Sequence, residues 1–187
     1  MKTHNIPDLH IGNLRQDASD FLIIPIEELL KHFRYYLQNP HRPSYHQLLL
    51  IQDGTGEFQI NSVKFSYTPE TLIAVSKGQE TTFSFGSETG GYALLFSDDF
   101  FYLDPENISW VNNLSLFNNS AETYTKVPSE REYMELLLWL RRIGNEFLSR
   151  ENVSKDEILI NMVRNILTES ERAYKGIYRS RAISNGS

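Results

Sequence analysis

The sequence predicts a mainly β domain, a sandwich or barrel, followed by two long helices. Three observations carry that reading. Across residues 45–96, short runs of strand formers recur at close spacing and are separated by turn residues. Leu48, Leu49, Leu50 and Ile51 follow one another in the run at 46–52, so this strand is expected to be covered on both faces. From residue 129 onward the apolar spacing switches from a period of two to a helical one.

The bulk numbers narrow the function classes. A chain of 187 residues holds one sizeable domain, or one domain with an appendage. Eleven Phe and ten Tyr supply large apolar and amphipathic surface to bury. The net charge of -6 and the pI of about 5.4 argue against nucleic-acid binding by this chain alone, because duplex affinity draws on Lys and Arg facing phosphates. There is no cysteine, hence no disulfide framework, thiolate metal site or thiol nucleophile. The first residues, MKTHNIPDLH, lack the apolar segment of a secretory signal, and no stretch approaches a membrane span, so a cytoplasmic protein is expected.

Taken in order, residues 1–20 are polar and read as an edge arm. Residues 21–26 (FLIIPI) read as a short strand ended by Pro25. Glu27, Glu28, Leu29 and Leu30 read as one helical turn with acids at its positive end. Residues 39–43 (NPHRP) form a loop, since each proline disfavours helix in the residue before it. A β-meander follows, with strands expected at 46–52, 57–60, 63–67, 72–75, 81–85 and 91–96. Asp53-Gly54-Thr55-Gly56 is expected to close the first pair as a hairpin, with glycine supplying positive φ. Asn61-Ser62, Thr68-Pro69-Glu70, Lys77-Gly78 and Gly90-Gly91 supply the other turns. Alternation puts Thr81, Phe83 and Phe85 on one face, with the phenylalanines inward, and Thr82 and Ser84 on the other.

Residues 97–128 are irregular, with a short helix starting after Ser97 and loops at Asn112-Asn113 and Asn118-Asn119-Ser120. Ser129 and Glu132 fit a capping box ahead of Tyr133, Leu136, Leu137, Leu140, Ile143 and Phe147 at helical spacing. Ser154 and Glu157 fit a second, which opens a helix through Ile158, Leu159, Met162, Val163, Ile166 and Leu167. Glu171 and Lys175 pair four residues apart, Gly176 reads as the C-cap, and residues 177–187 read as a tail or the start of a linker.

His41, Arg42, Tyr45, His46 and Gln47 cluster at the entry to the central strand. They suit the rim of a pocket for a polar or anionic small molecule; the competing reading is a solvated loop. No metal set is expected: His4, His10 and His32 lie outside the meander, and His41 and His46 are five apart, the wrong parity for one strand face. No Gly-x-Ser-x-Gly or Ser-His-Asp grouping stands out, and Gly54-Thr55-Gly56 lacks the Gly-Lys-Ser/Thr ending of a phosphate loop. Asp98-Asp99 fits a helix start better than an acid–base pair. The helical pair admits two readings, core against the sheet or a face for a second subunit.

The order of segments resembles the N-terminal sensor domain of AraC/XylS-type transcription regulators. Three stretches carry the resemblance: residues 41–51 (HRPSYHQLLLI) leading into Gly54-Thr55-Gly56, residues 67–79 (YTPETLIAVSKGQ), and residues 91–101 (GYALLFSDDFF). It covers about residues 20–175. The resemblance implies a cupin-like (double-stranded β-helix, jelly-roll) barrel over residues 1–128 with an N-terminal arm, a dimerising helix pair over 129–176, and a tail or linker start over 177–187. There are departures. Glu70 and Thr71 stand where the family usually has Gly-Asp, Lys77 replaces a common proline, and Thr81 stands where histidine is common. The histidine and glutamate set of metal-dependent cupins is lacking, which argues against an enzyme and against a metal or other cofactor.

The implied function is therefore an effector-sensing and dimerisation domain, with the effector a sugar or related metabolite. DNA would be reached only through a helix-turn-helix domain that the family carries and this chain lacks. Candidate ligand residues are His41, Arg42, Tyr45, Gln47, Thr81, Phe83 and Tyr92. Candidate homodimer residues are Met134, Leu137, Leu138, Arg141, Met162 and Ile166. The alternatives are a stand-alone cupin-type sugar-binding protein, isomerase or epimerase, and a structural dimer that binds nothing.

Overall fold

The computed structural model describes residues 6–16, 20–102, 104, 106–118, 124–127, 129–149 and 154–184. The first five residues of the expected arm, the boundary at residue 128 and the last three residues of the expected tail lie outside that set.

The chain opens with β1 (Asp8–Leu9) and the single turn α1 (Ile11–Leu14), then β2 (Phe21–Pro25), α2 (Ile26–Gln38) and β3 (Arg42–Pro43). Six strands follow: β4 (His46–Asp53), β5 (Gly56–Ile60), β6 (Val63–Tyr67), β7 (Thr71–Val75), β8 (Thr81–Phe85) and β9 (Gly90–Phe96). Short 3-10 turns at Asp98–Phe101 and Ser115–Phe117 flank α3 (Glu106–Asn112), and β10 (Tyr124–Lys126) precedes α4 (Glu130–Leu148) and α5 (Lys155–Ser184). The protein is mainly β with C-terminal helices, as the sequence pattern indicates.

The strands lie where expected, but they do not pair as a meander. A five-stranded sheet has the order β10-β7-β4-β9-β2, and a three-stranded sheet the order β6-β5-β8. β4 and β5 therefore belong to different sheets. Asp53-Gly54-Thr55-Gly56 is a corner between sheets rather than a hairpin closure. The local chemistry is as expected, with Gly54 at φ +83°, but a tight Asp-Gly turn fixes only the chain reversal, and the apolar faces choose the partner strand. Of the expected turns, Asn61-Ser62 does join neighbours, β5 and β6.

Two apolar clusters explain this pairing. Leu49, Ile51, Ile73, Val75, Ala93 and Leu95 of the larger sheet face Phe58, Ile60, Tyr67, Phe83 and Phe85 of the smaller one. α2 closes this cluster with Ile26, Leu29, Leu30 and Leu37. On the opposite side, Leu48, Leu50, Leu72, Ala74, Leu94 and Phe96 pack against Leu136, Leu140, Ile143, Val163 and Leu167 of the two long helices. All four of Leu48–Ile51 are buried, so the continuous apolar run reports a strand covered on both faces. Phe83 and Phe85 point inward and stack at 4.9 Å.

Several local elements differ from expectation. α2 runs for 13 residues instead of one turn, because its apolar residues find a sheet edge to cover. Gly176 does not cap α5; the helix continues to Ser184. An interior glycine costs about 1 kcal/mol relative to alanine, too little to stop a helix of good formers. Ser129 does cap α4: its Oγ accepts from the Glu132 N–H at 3.3 Å, and its hydroxyl donates to the Glu132 carboxylate at 2.7 Å. Glu171 and Lys175 are paired at 2.7 Å. Glu70, where the AraC/XylS pattern has glycine, takes a left-handed φ of +65°.

Gly91 has φ +140°, and a Cβ there would run into the Leu50 carbonyl oxygen on β4. Gly144, in the middle of α4, has open space where its Cβ would be. Gly91→Ala is expected to destabilise the fold by on the order of 3 kcal/mol, and Gly144→Ala to stabilise it by roughly 0.5–1 kcal/mol. Urea unfolding of both variants checks the pair.

Candidate functional site

β4 delivers alternate side chains to the two sides of the larger sheet. Tyr45, Gln47, Leu49 and Ile51 share one parity, and Tyr45, Leu49 and Ile51 lie in the cluster between the sheets. His46, Leu48 and Leu50 share the other and face the helical side. Gln47 is paired in register with Val75 on β7 and Leu95 on β9, both inter-sheet residues. The short connection from Val75 to Thr81 then enters β8 at the same end of the sandwich. There, the loop before β3 meets β8, because His41 and Thr81 exchange backbone N–H and C=O bonds of 3.1 and 2.9 Å.

Five of the seven predicted ligand residues are thereby buried: His41, Tyr45, Gln47, Thr81 and Phe83. Two are not gathered with them. Arg42 is on the surface, 3.7 Å from Glu80. Tyr92 has the wrong strand parity; it packs on the helical cluster and lines a 340 Å³ groove with Ile23, Pro25 and Arg141.

The buried polar atoms of this end are under-satisfied. His41 Nε2, Tyr45 OH and Gln47 Nε2 have no hydrogen-bond partner among the described residues. Buried polar groups almost always have partners, so three orphans on neighbouring elements make this end the candidate site. Thr81 is partly occupied, since its hydroxyl donates to the Gln79 carbonyl at 3.1 Å. Burial lowers the His41 pKa, with the Asn39 carbonyl acting in the opposite direction. Burial also raises the Tyr45 hydroxyl well above its ordinary range, so it remains a phenol.

His46 lies just across the sheet, between the rings of Phe96 and Phe117 at 5.4 and 4.8 Å. Both its nitrogens lack hydrogen-bond partners among the described residues. Asp98 Oδ1 is 3.7 Å away, beyond hydrogen-bond length, and Asp98 is itself paired with Lys77. Burial dominates and pushes the His46 pKa down to about 4, against the attraction of Asp98. His41 is thus bridged to Thr81 of β8, while His46 lies on the helical side of β4. No three His, Asp or Glu side chains form a metal-binding group among the described residues.

The predicted dimer residues divide. Leu137 (4% exposed) and Ile166 (0%) sit inside the monomer's own core. Met134 (48%) and Leu138 (46%) are exposed, as is Arg141, while Met162 packs partly against the helical cluster. A further cleft of 530 Å³, which sequence reasoning missed, lies between α2 and the β8–β9 connection and includes Glu27, Lys31, Arg34, Asp53 and Thr89. It depends on the full length of α2, for which the 3.6-residue spacing of Ile26, Leu29, Leu30 and Leu37 was the available signal. Among the described residues, no helix is long and apolar enough to cross a membrane.

No protein-family model matches the chain, and no curated protein matches it in sequence. Solved structures similar to it include the EutQ protein of Clostridium difficile, with a TM-score of 0.28 and 21% identity over 32% of this chain and 49% of that one. The AraC-like transcriptional activator CuxR gives a TM-score of 0.42 and 12% identity over 82% of this chain and 51% of that one. ToxT from Vibrio cholerae gives 0.40 and 13%, over 83% of this chain and 58% of that one. The chain thus spans about half the length of the structures it matches.

Between pH 6.5 and 4 an unfolded His46 binds a proton that the folded one refuses. The unfolded state then holds more protons, so stability falls as pH falls through that window, by about 3 kcal/mol for this group. Burial of His41 acts in the same direction. His46→Leu is expected to flatten most of that acid limb in denaturant melts taken at pH 7, 6, 5 and 4.

Proposed function

We propose that this chain is the regulatory sensor domain of an AraC-type transcription regulator, holding a small-molecule effector between its two sheets. The observation that carries the reading is the set of orphaned polar atoms on His41, Tyr45 and Gln47, buried at one end of an otherwise apolar interior. The resemblance of residues 41–56, 67–79 and 91–101 to that family supplies the regulatory context. In this reading the fold is a cupin-like jelly roll, with the arm and barrel over residues 1–128 and the helix pair over 129–176. The effector is a sugar or related metabolite, and contact with DNA falls to a helix-turn-helix domain outside this chain. In this reading the domain binds and does not catalyse. The setting is cytoplasmic.

The reading includes a homodimer through α4. Met134, Leu138, Arg141, Asn145 and Leu148 are exposed at spacings of four, three, four and three, one stripe along the helix. Leu137 and Ile166 contribute only indirectly, by fixing α4 and α5 to the sheet.

Two measurements test these claims. A low-mass metabolite fraction is expected to raise the melting temperature of the protein, and Gln47→Leu to abolish the rise; an unchanged melting temperature would remove the sensor reading. In light scattering, the parent is expected to be a dimer and Leu138→Asp a folded monomer. Leu137→Asp is expected to unfold instead, because it buries a charge in the core. A parent that stays monomeric at high concentration would sink the α4 interface.

A further inference from the structure

We propose that the site between the sheets takes an uncharged molecule, one that offers an O–H or N–H donor to His41 Nε2 and an acceptor oxygen to the Gln47 amide. The inference rests on the effector-binding reading above and narrows it to a chemical class.

The argument begins with the tautomer of His41. Its Nδ1 lies 2.9 Å from the Asn39 carbonyl oxygen. A carbonyl only accepts, so Nδ1 carries the proton and donates. The ring is buried and favours the neutral state, which leaves Nε2 as a bare lone pair. Nε2 has no partner among the described residues and is therefore an acceptor awaiting a donor. Gln47 Nε2 is the converse, an amide nitrogen with N–H groups and no partner among the described residues. The Tyr45 hydroxyl, also unpartnered among them, can give or take. One acceptor, one donor and one group of either kind complement a ligand whose polar groups are hydroxyls or amides.

A charged ligand would find no counter-ion. Among the described residues, no Asp, Glu, Lys or Arg side chain is buried in the cluster between the sheets. The buried Glu171 carboxylate lies on the helical side, where it accepts from the Ser115 and Leu116 N–H groups at 3.0 and 3.1 Å. Part-buried Arg34 donates to the Phe85 carbonyl at 3.0 Å, at the other end of β8 from Thr81. A carboxylate ligand could accept from Gln47 and Tyr45 but would meet the His41 lone pair and no cation, and an ammonium would meet no anion; either would carry an unpaired charge into an apolar interior. Phe58 and Phe83, stacked at 5.9 Å, add an apolar wall, which suits a ligand with one apolar face.

Matched probes test the class. Thermal shift and calorimetry are run on the intact chain with glucose against glucuronate, and with benzamide against benzoate and benzylamine. The neutral member of at least one set is expected to bind about tenfold or more tightly than its charged counterparts, and Gln47→Leu to remove that binding. If Gln47→Leu does not fold, Tyr45→Phe carries the same comparison, since it deletes only the hydroxyl. A charged probe whose binding depends on Gln47 overturns the class while leaving the sensor reading intact. So does a Gln47-dependent shift from the metabolite fraction with none from the neutral probes. If neither the fraction nor any probe gives such a shift, both readings fall together. An independent check needs no ligand: imidazole nitrogen shifts showing His41 protonated at Nε2 would overturn the inference directly.

Discussion

The five-stranded sheet is apolar on both faces, and nearly everything else in the protein follows from having to cover them. β4 is the centre of that constraint. Its Leu48 and Leu50 are buried only because α4 and α5 lie over them, and its Leu49 and Ile51 only because the three-stranded sheet lies beneath. The helix pair is thus part of one core with the sheet. Each fully buried side chain contributes on the order of 2 kcal/mol relative to exposure, so neither covering layer could leave without exposing a continuous apolar surface.

Against that background the polar residues of the sheet stand out. A strand buried on both faces has no solvent in which to hide a polar side chain, and burying one without partners costs free energy. Yet Tyr45, His46 and Gln47 are consecutive, buried and under-satisfied. Their environments make them neutral rather than charged: burial keeps Tyr45 a phenol and holds His46 down to about 4. Among the described residues, no Asp, Glu, Lys or Arg side chain is buried between the sheets, while ion pairs such as Arg42–Glu80 and Lys77–Asp98 sit at the margins.

The alternation of β4 also ties the two sides of the sheet together. Tyr45 and Gln47 point between the sheets, and His46 between them points at Phe117. Phe117 ends a short 3-10 turn whose carbonyl accepts from Ser76 Oγ and whose first N–H groups bond to Glu171 of α5. A continuous path of packed rings and hydrogen bonds therefore runs from the candidate site, through one strand, to the C-terminal helix.

What the sequence determined by itself was local. Turn chemistry and period-two alternation located the strands from residue 46 to 96, and the run at Leu48–Ile51 showed that one strand had two covered faces, because side-chain parity and backbone φ are properties of neighbouring residues. The cap at Ser129 and the inward set Thr81, Phe83 and Phe85 were legible for the same reason. Tertiary structure decided what pairs with what. Asp53-Gly54 reads as a hairpin, yet β4 and β5 part into different sheets, because partner choice depends on which distant apolar faces meet. The same dependence moved Tyr92 to the helical side, put Leu137 and Ile166 in the core, lengthened α2 beyond one turn and carried α5 past Gly176. For the candidate site, the sequence indicated the residue types at 41–47. Only the fold showed which of them are buried away from water, since burial and the loss of hydrogen-bond partners arise between segments far apart in the chain.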